Sequence, residues 1–340
     1  MSDLTIRDIA RLAGVSTTAV SFVLNNKPGV SDATRRNVQE IIRQTGFTPN
    51  VHTRRLNLRR SFTMHVVLAW YKHELFNQFA LEILFGIFQA CKTLGYSVIF
   101  TFVDSDTDRS TLLQSVRGKD CDGVILSQID DPMFISALQQ EKIPFVCVDA
   151  HVRKDGSVPL VEVDYYRAAY EAVSYLYRCG HRKIGFLAPA APLELRASAL
   201  RAYTDALSAC SLTCDPAWIG SIPFAENAAG EYVDALMAHG RLPTALVCVG
   251  DAFAVDLYGE LRARGLRIPD DISVVSMDDI VVSRYLDPPL TTMTFEKQEL
   301  GARAVNVLYR MIEGEEYPSM TLLPPSLVER GSVRTLTQEI

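Results

Sequence analysis

The predicted fold class is a small all-α helix-turn-helix head joined to an α/β core of two doubly wound parallel-sheet lobes. Three observations predict it. Two short amphipathic segments separated by a glycine open the chain, within Leu4–Asn25. Charge then divides: residues 1–60 hold ten Lys/Arg against four Asp/Glu, while the remaining 280 residues hold 24 against 36. Finally, residues 62–340 alternate short β-rich apolar runs with longer amphipathic ones, as βαβ units do.

In the head, Ile6, Ile9, Ala10 and Ala13 recur at helical spacing, and Thr5 with Asp8 forms a capping-box-like start. Gly14 suits a sharp turn in which a Cβ would be costly. Ser16 is placed to cap a second helix with Ala19, Val20, Val23 and Leu24 on its apolar face. Two helices so joined form the helix-turn-helix, whose second helix enters a DNA major groove and presents Thr17 and Thr18 at its exposed start. Ser31 caps a third helix over Asp32–Thr45, with Val38, Ile41 and Ile42 facing the first two, and Gly46 and Pro49 end it. Val51–Arg60 then sets Arg54, Arg55, Arg59 and Arg60 around Leu56 and Leu58; by composition alone it is a basic, solvated linker.

The core's expected strands are His65–Tyr71, Tyr96–Phe102, Gly123–Leu126, Pro144–Val148, Lys183–Leu187, Ala245–Val249 and Ile272–Met277. Its expected helices are Phe79–Leu94, Pro132–Gln140, Tyr165–Cys179, Ala197–Ala209, Ala228–His239 and Ala252–Arg264. Some 280 residues exceed one compact core, so two subdomains are expected. The overall isoelectric point near 5.6 averages a basic head with an acidic body. Only the head needs positive charge to release counterions from phosphates.

Other signals exclude. No apolar run reaches membrane-spanning length, and Asp3, Arg7, Asp8 and Arg11 interrupt any signal-peptide core. Seven scattered cysteines (91, 121, 147, 179, 210, 214 and 248) fit reduced thiols in a cytoplasm; Cys210 and Cys214 lack a second ligand pair for a metal. There is no glycine-rich phosphate loop, His-Glu-x-x-His helix or Gly-x-Ser-x-Gly elbow, so neither an enzyme nor a cofactor is expected.

The head resembles that of LacI/GalR-family transcription regulators. The match runs through Thr5-Ile-Arg-Asp-Ile-Ala10, Ala13-Gly-Val-Ser16, Val20-Ser21, Val23-Leu24-Asn25, Val30-Ser31, Thr34-Arg35 and Gly46-Phe47-Thr48-Pro49-Asn50. The resemblance implies a DNA-binding domain over 1–49, a hinge helix over 50–61 that places Leu56 in the minor groove, and an effector-binding and dimerisation core over 62–340. It implies DNA contacts from Thr5, Ser16, Thr17, Thr18, Ser21, Phe22, Asn25, Ser31, Thr34, Asn50, Thr53, Arg54, Arg55 and Leu56. Phe22 stands where many members carry Arg or His, which suggests an apolar contact to a thymine methyl.

Past the head, Gly180-His-Arg-Lys-Ile184, Ile268–Val275, Asp278-Asp279 and Pro288–Thr292 carry the resemblance through the core. They imply two lobes of the type I periplasmic-binding-protein-like fold, with a cleft between them and chain crossings near Asp164, Leu290 and Pro324. One lobe would be about 62–163 and 291–323, the other about 164–290 and 324–340. Ligands of open α/β sheets bind beyond the carboxyl ends of strands. Asp149, Asp251 and Asp278 all follow apolar β runs there, each free to bind hydroxyls or merely to cap the next helix. By resemblance Asp251, Asp278 and Phe79 face an effector, with Phe224 and Phe295 as looser stacking candidates. Two positions depart from the family: Gly250 replaces an Asn and Ala199 an Arg, so that either Arg196, one turn earlier, substitutes or the effector needs no guanidinium. The implied protein is a cytoplasmic homodimeric repressor of a pseudo-palindromic double-stranded operator, governed by a small molecule for which a sugar or sugar derivative leads and a purine or another small metabolite stays open; the alternative, a solute receptor on the same core, would lack the basic head and carry a signal peptide. No membrane partner is implied.

Overall fold

The computed structural model describes residues 4–24, 27–47, 60–69, 77–103, 113–114, 116, 121–150, 152, 156–225 and 228–336. The chain forms two compact units, Met1–Phe62 and Thr63–Ile340.

In the first unit, α1 (Ile6–Ala13), α2 (Thr17–Leu24) and α3 (Asp32–Thr45) bury Ile9, Ala10, Val20, Val23, Val38 and Phe47 in one small core. The caps follow local chemistry. Asp8 accepts from Thr5 N at 3.0 Å and from Thr5 Oγ1 at 2.7 Å, Ser16 Oγ accepts from Ala19 N at 3.1 Å, and Ser31 Oγ accepts from Thr34 N at 3.2 Å. Gly14 ends α1 with φ +65°, in the left-handed region where a side chain would be strained.

The second unit holds two six-stranded sheets. The strands and helices in order are β1 (Thr63–Ala69), α4 (Gln78–Leu94), β2 (Ser97–Val103), β3 (Gly123–Ser127), α5 (Pro132–Gln140), β4 (Phe145–Val148), β5 (Leu160–Val163), α6 (Tyr165–Arg178), β6 (Ile184–Pro189), α7 (Leu193–Ala209), β7 (Ile219–Ile222), α8 (Gly230–Ala238), β8 (Ala245–Cys248), α9 (Asp251–Ala263), β9 (Ser273–Met277), β10 (Thr291–Thr294), α10 (Lys297–Glu313), β11 (Met320–Leu323) and β12 (Ser326–Val328). One sheet has the order β11-β5-β4-β3-β1-β2 and the other β12-β10-β9-β8-β6-β7. All pairings are parallel except β10–β12. The central strands β3, β4, β6, β8 and β9 are wholly buried, as sheets covered on both faces require.

The two sheets repeat one winding, so each reverses strand order at an equivalent place, between β1 and β3 and between β6 and β8. A crevice at the carboxyl ends of such strands is a general consequence. The lobe boundary needs one correction. Thr291–Thr294 pair with Val275–Met277 and with β12, so β10 belongs to the second lobe and the middle crossing follows it rather than Leu290. Strands β5, β7, β10, β11 and β12 and helix α10 lie outside the expected set. Strands of three or four residues are too short to show periodicity, and of these only β4 and β8 stood out, as continuous apolar runs.

Helix α10 joins the first lobe by packing on α4 at closest range. A Cβ on Gly301 would lie 2.2 Å from Ile83 O, and one on Gly86 2.0 Å from Gln298 O. Only glycine permits that backbone approach.

Candidate functional site

The head presents Thr17 and Thr18 exposed at the start of α2, with Ser21 half-buried one turn on. Thr5, Ser16 and Ser31 use their side chains for the caps described above and Thr34 Oγ1 bonds Ser31 Oγ at 2.9 Å, so this set supports helix ends as well as facing solvent. Helix N-termini with free N–H groups suit phosphate oxygens. Arg35 Nη2 donates to Lys27 O at 2.7 Å and ties the loop after α2 to α3. Phe22 is half-buried, its ring 3.0 Å from where a Gly29 Cβ would stand. Asn25, Asn50, Thr53, Arg54, Arg55 and Leu56 lie outside the described residues.

In the core, a cleft of roughly 670 Å³, its open mouth included, lies at the carboxyl ends of both sheets. Gln128 follows β3, Asp149 follows β4, Tyr165 opens α6 after β5, Gly250 follows β8 and Asp278 follows β9. Three of these turns hold non-glycine residues at positive φ: Gln128 at 56°, Asp149 at 48° and Asp278 at 109°. Such conformations persist where the surrounding structure imposes them, and they cluster at binding sites.

Of the seven expected effector residues, the cleft brings together Phe79, Asp149, Phe224 and Asp278. Three stand apart. Asp251 is fully buried and turned inward: its carboxylate accepts from Ile280 N at 3.1 Å, Ser283 Oγ at 2.5 Å and Thr292 Oγ1 at 2.7 Å. It therefore braces the 280–283 turn against β10. Phe295 is buried behind the wall, edge-on to Phe79 (6.4 Å) and Tyr165 (5.6 Å). Arg196, next to the lining residue Leu195 on α7, is half-buried and is not among the residues that line the cleft. Gln128, Tyr165 and Phe253 line the cleft without having been expected. Gln128 follows a strand and was open to the rule that selected Asp149; Tyr165 follows β5, a strand the pattern did not reveal.

Hydrogen bonding sets the polar wall. Gln128 Nε2 donates to Asp149 Oδ2 at 3.0 Å, and Tyr165 OH donates to Asp149 Oδ1 at 3.2 Å. Gln128 Oε1 is buried without a hydrogen-bond partner among the described residues. Burial lifts the Tyr165 hydroxyl well above its ordinary pKa, reinforced by the Asp149 charge, so it stays a donor. Burial and then the Asp251 charge push the Asp278 carboxyl well above the usual range, with the Lys297 ammonium opposing them. Asp251 is likewise lifted, by burial, to about 6.

Lys297 joins the lobes beneath the cleft. From the first turn of α10 its buried Nζ donates to Asp278 O at 2.5 Å and Asp279 O at 2.9 Å, and it pairs with Glu82 on α4 at 3.1 Å. Asp279 in turn pairs with Arg330 at 2.5 Å, and Arg330 Nη1 donates to Leu290 O at 2.8 Å. Among the described residues no group of three His, Cys, Asp or Glu side chains could hold a metal, and no helix is long and apolar enough to cross a membrane.

Both the head and the core match known families. The family described as bacterial regulatory proteins, lacI family, matches residues 5–50, and a periplasmic binding protein-like domain matches residues 173–333. The chain is 30% identical over 334 residues to the transcriptional repressor CytR of Escherichia coli strain K12, covering 98% of this chain and 97% of that one. It is 32% identical to the ribose operon repressor of Haemophilus influenzae, covering 98% and 99%. Among solved structures, the transcriptional regulator CelR in complex with cellobiose superposes with a TM-score of 0.74 at 26% identity, over 97% of this chain and 99% of that one.

Proposed function

The chain belongs to the LacI family of bacterial regulatory proteins, and from that premise we propose that it is a repressor whose hold on operator DNA is set by a small molecule in the core cleft. The observation that carries this reading is the union, in one chain, of a capped helix-turn-helix with exposed Thr17 and Thr18 and an open cleft at the strand ends of a two-lobed core. Helix α2 enters the major groove, and base edges there are read by side chains at its start. Arginines of the 50–61 segment neutralise phosphates while Leu56 wedges a minor-groove step. DNA as partner implies a cytoplasmic location.

A homodimer fits the surface. Leu81, Phe85 and Phe88 stand exposed on α4, and Ile99, Phe100 and Phe102 on the edge strand β2, an apolar face suited to a second copy. The same helix carries Phe79 into the cleft and Glu82 onto Lys297. A ligand that favours one arrangement of the lobes thereby shifts the arrangement of the dimer and the spacing of its two heads.

The test is binding of the full chain to genomic DNA fragments at several salt concentrations. A palindromic site bound far more tightly than random DNA, with affinity falling steeply as salt rises, is expected. Equal affinity for such sites and random DNA would overturn the reading.

A further inference from the structure

The turn that aims Asp278 into the cleft is strained. Asp278 and Asp279 stand at φ 109° and 48°, the one consecutive pair of non-glycine residues at positive φ among the described residues. Side chains keep such a backbone where their neighbours impose it. Part of the hold comes from the second lobe, where Asp278 N donates to Met293 O at 2.8 Å and Asp279 pairs with Arg330 at 2.5 Å. The rest comes from the first. An ammonium carries three N–H donors, and that of Lys297, 5% exposed, meets three oxygens: Asp278 O, Asp279 O and Glu82 Oε1.

Lys297 opens α10 three residues after β10 ends, on the stretch where the chain passes between the lobes. Glu82 lies on α4, which α10 meets backbone to backbone at Gly86 and Gly301. The lysine and its anchor therefore move with the first lobe, while the two carbonyls move with the second. A hydrogen bond is lost beyond about 3.5 Å, so a small rotation of one lobe on the other breaks both carbonyl bonds and frees the turn to leave its strained conformation. Phe79, whose ring centre is 5.8 Å from Nζ, extends the same α4 to the cleft wall. Resting on the regulator reading above, we propose that Lys297 is a positioning residue, a pin between the lobes through which the aim of Asp278 and the arrangement of the lobes change together. The competing account is a role confined to charge, since the same ammonium opposes the upward shift of the Asp278 carboxyl. The pin acts on backbone carbonyls and does not need that carboxyl.

Hydrogen exchange of the full chain, read by mass spectrometry, tests the pin without DNA or ligand. The amides of Asp278, Ile280 and Ser283 are hydrogen-bonded. Lys297→Met, which keeps the volume, is expected to speed exchange of the peptide carrying them about tenfold, while peptides of β6 and β8 stay unchanged. The same acceleration is expected in an Asp278→Asn background. The second readout is the affinity of the ligand-free chain for the palindromic genomic fragment selected above, which is expected to move at least about fivefold. The head belongs to the other compact unit, so a lysine that merely packs would leave that affinity alone. If Lys297→Met melts early, Glu82→Ala replaces it: with the anchor cut and the carbonyl bonds spared, operator affinity moves while the turn stays protected. Unchanged turn exchange in Lys297→Met, an acceleration that vanishes in the Asp278→Asn background, or operator affinity equal to the parent's overturns the proposal. A chain that prefers no site fails the regulator reading, and the exchange result still judges the pin.

Discussion

Replacing Asp251 with Asn isolates what a buried carboxylate does when it faces inward rather than toward a ligand. Its two oxygens take three donors: Ile280 N and Ser283 Oγ on one, Thr292 Oγ1 on the other. Asparagine keeps the arrangement satisfied, because its carbonyl accepts from Ile280 and Ser283 while its amide donates to a Thr292 hydroxyl that rotates to accept. What the variant loses is the ionisation. The folded chain holds Asp251 at about 6, against the ordinary 3.8. A raised folded pKa contributes stability that is full below about 3.8 and is lost as pH rises through about 6. The gap corresponds to roughly 3 kcal/mol at about 1.4 kcal/mol per tenfold. Relief of the coupled Asp278 carboxyl acts in the same direction. Urea unfolding of parent and variant, followed by the fluorescence of the two tryptophans, Trp70 and Trp218, at pH 4 and pH 7.5, reads the difference. Relative to parent, Asp251→Asn is expected to gain about 2–3 kcal/mol on going to the higher pH. A gap that stays constant with pH, or a variant that gains at low pH, would refute the reasoning.

Gly301→Ala drives a methyl into the backbone of Ile83 and Ile87, so the α4–α10 contact must open; a loss of about 1–3 kcal/mol or more is expected by calorimetric melting. Gly259→Ala, mid-helix in α9 with nothing within 4 Å of its added Cβ, should instead raise the melting temperature by a contribution near 0.5–1 kcal/mol. In the head, Ser16→Ala removes the acceptor for Ala19 N and should cost about 1 kcal/mol. It would show as earlier loss of the head's helical circular dichroism while the tryptophan signal, which arises from Trp70 and Trp218 of the second unit, melts unchanged.

Local rules made the head legible from the chain alone. Thr5 with Asp8, Gly14, Ser16 and Ser31 act on partners within about one helical turn, so spacing in sequence is spacing in space. The six expected helices share this quality, each long enough for its apolar period to appear, and the seven expected strands stand out as compact apolar runs. The cleft's place was also readable, because alternating βα units lead to strand ends. Its membership was not. Asp149, Asp251 and Asp278 occupy the same kind of position in sequence, yet only two open to the cleft. Asp251 is the first residue of α9, and the donors that draw it inward lie 29 to 41 residues away in the 280–283 turn and on β10. Phe295 and Phe79 likewise meet across distant segments, one ring at the wall and the other behind it. The lobe of Thr291–Thr294 was decided by partners, Val275–Met277 and β12, that no short window contains. The sequence by itself determined the elements and the ends at which a ligand binds, since those follow from nearest-neighbour sterics and hydrogen bonds. Which way each side chain points at those ends was left to tertiary structure, because a buried polar group turns toward whichever long-range donors packing supplies.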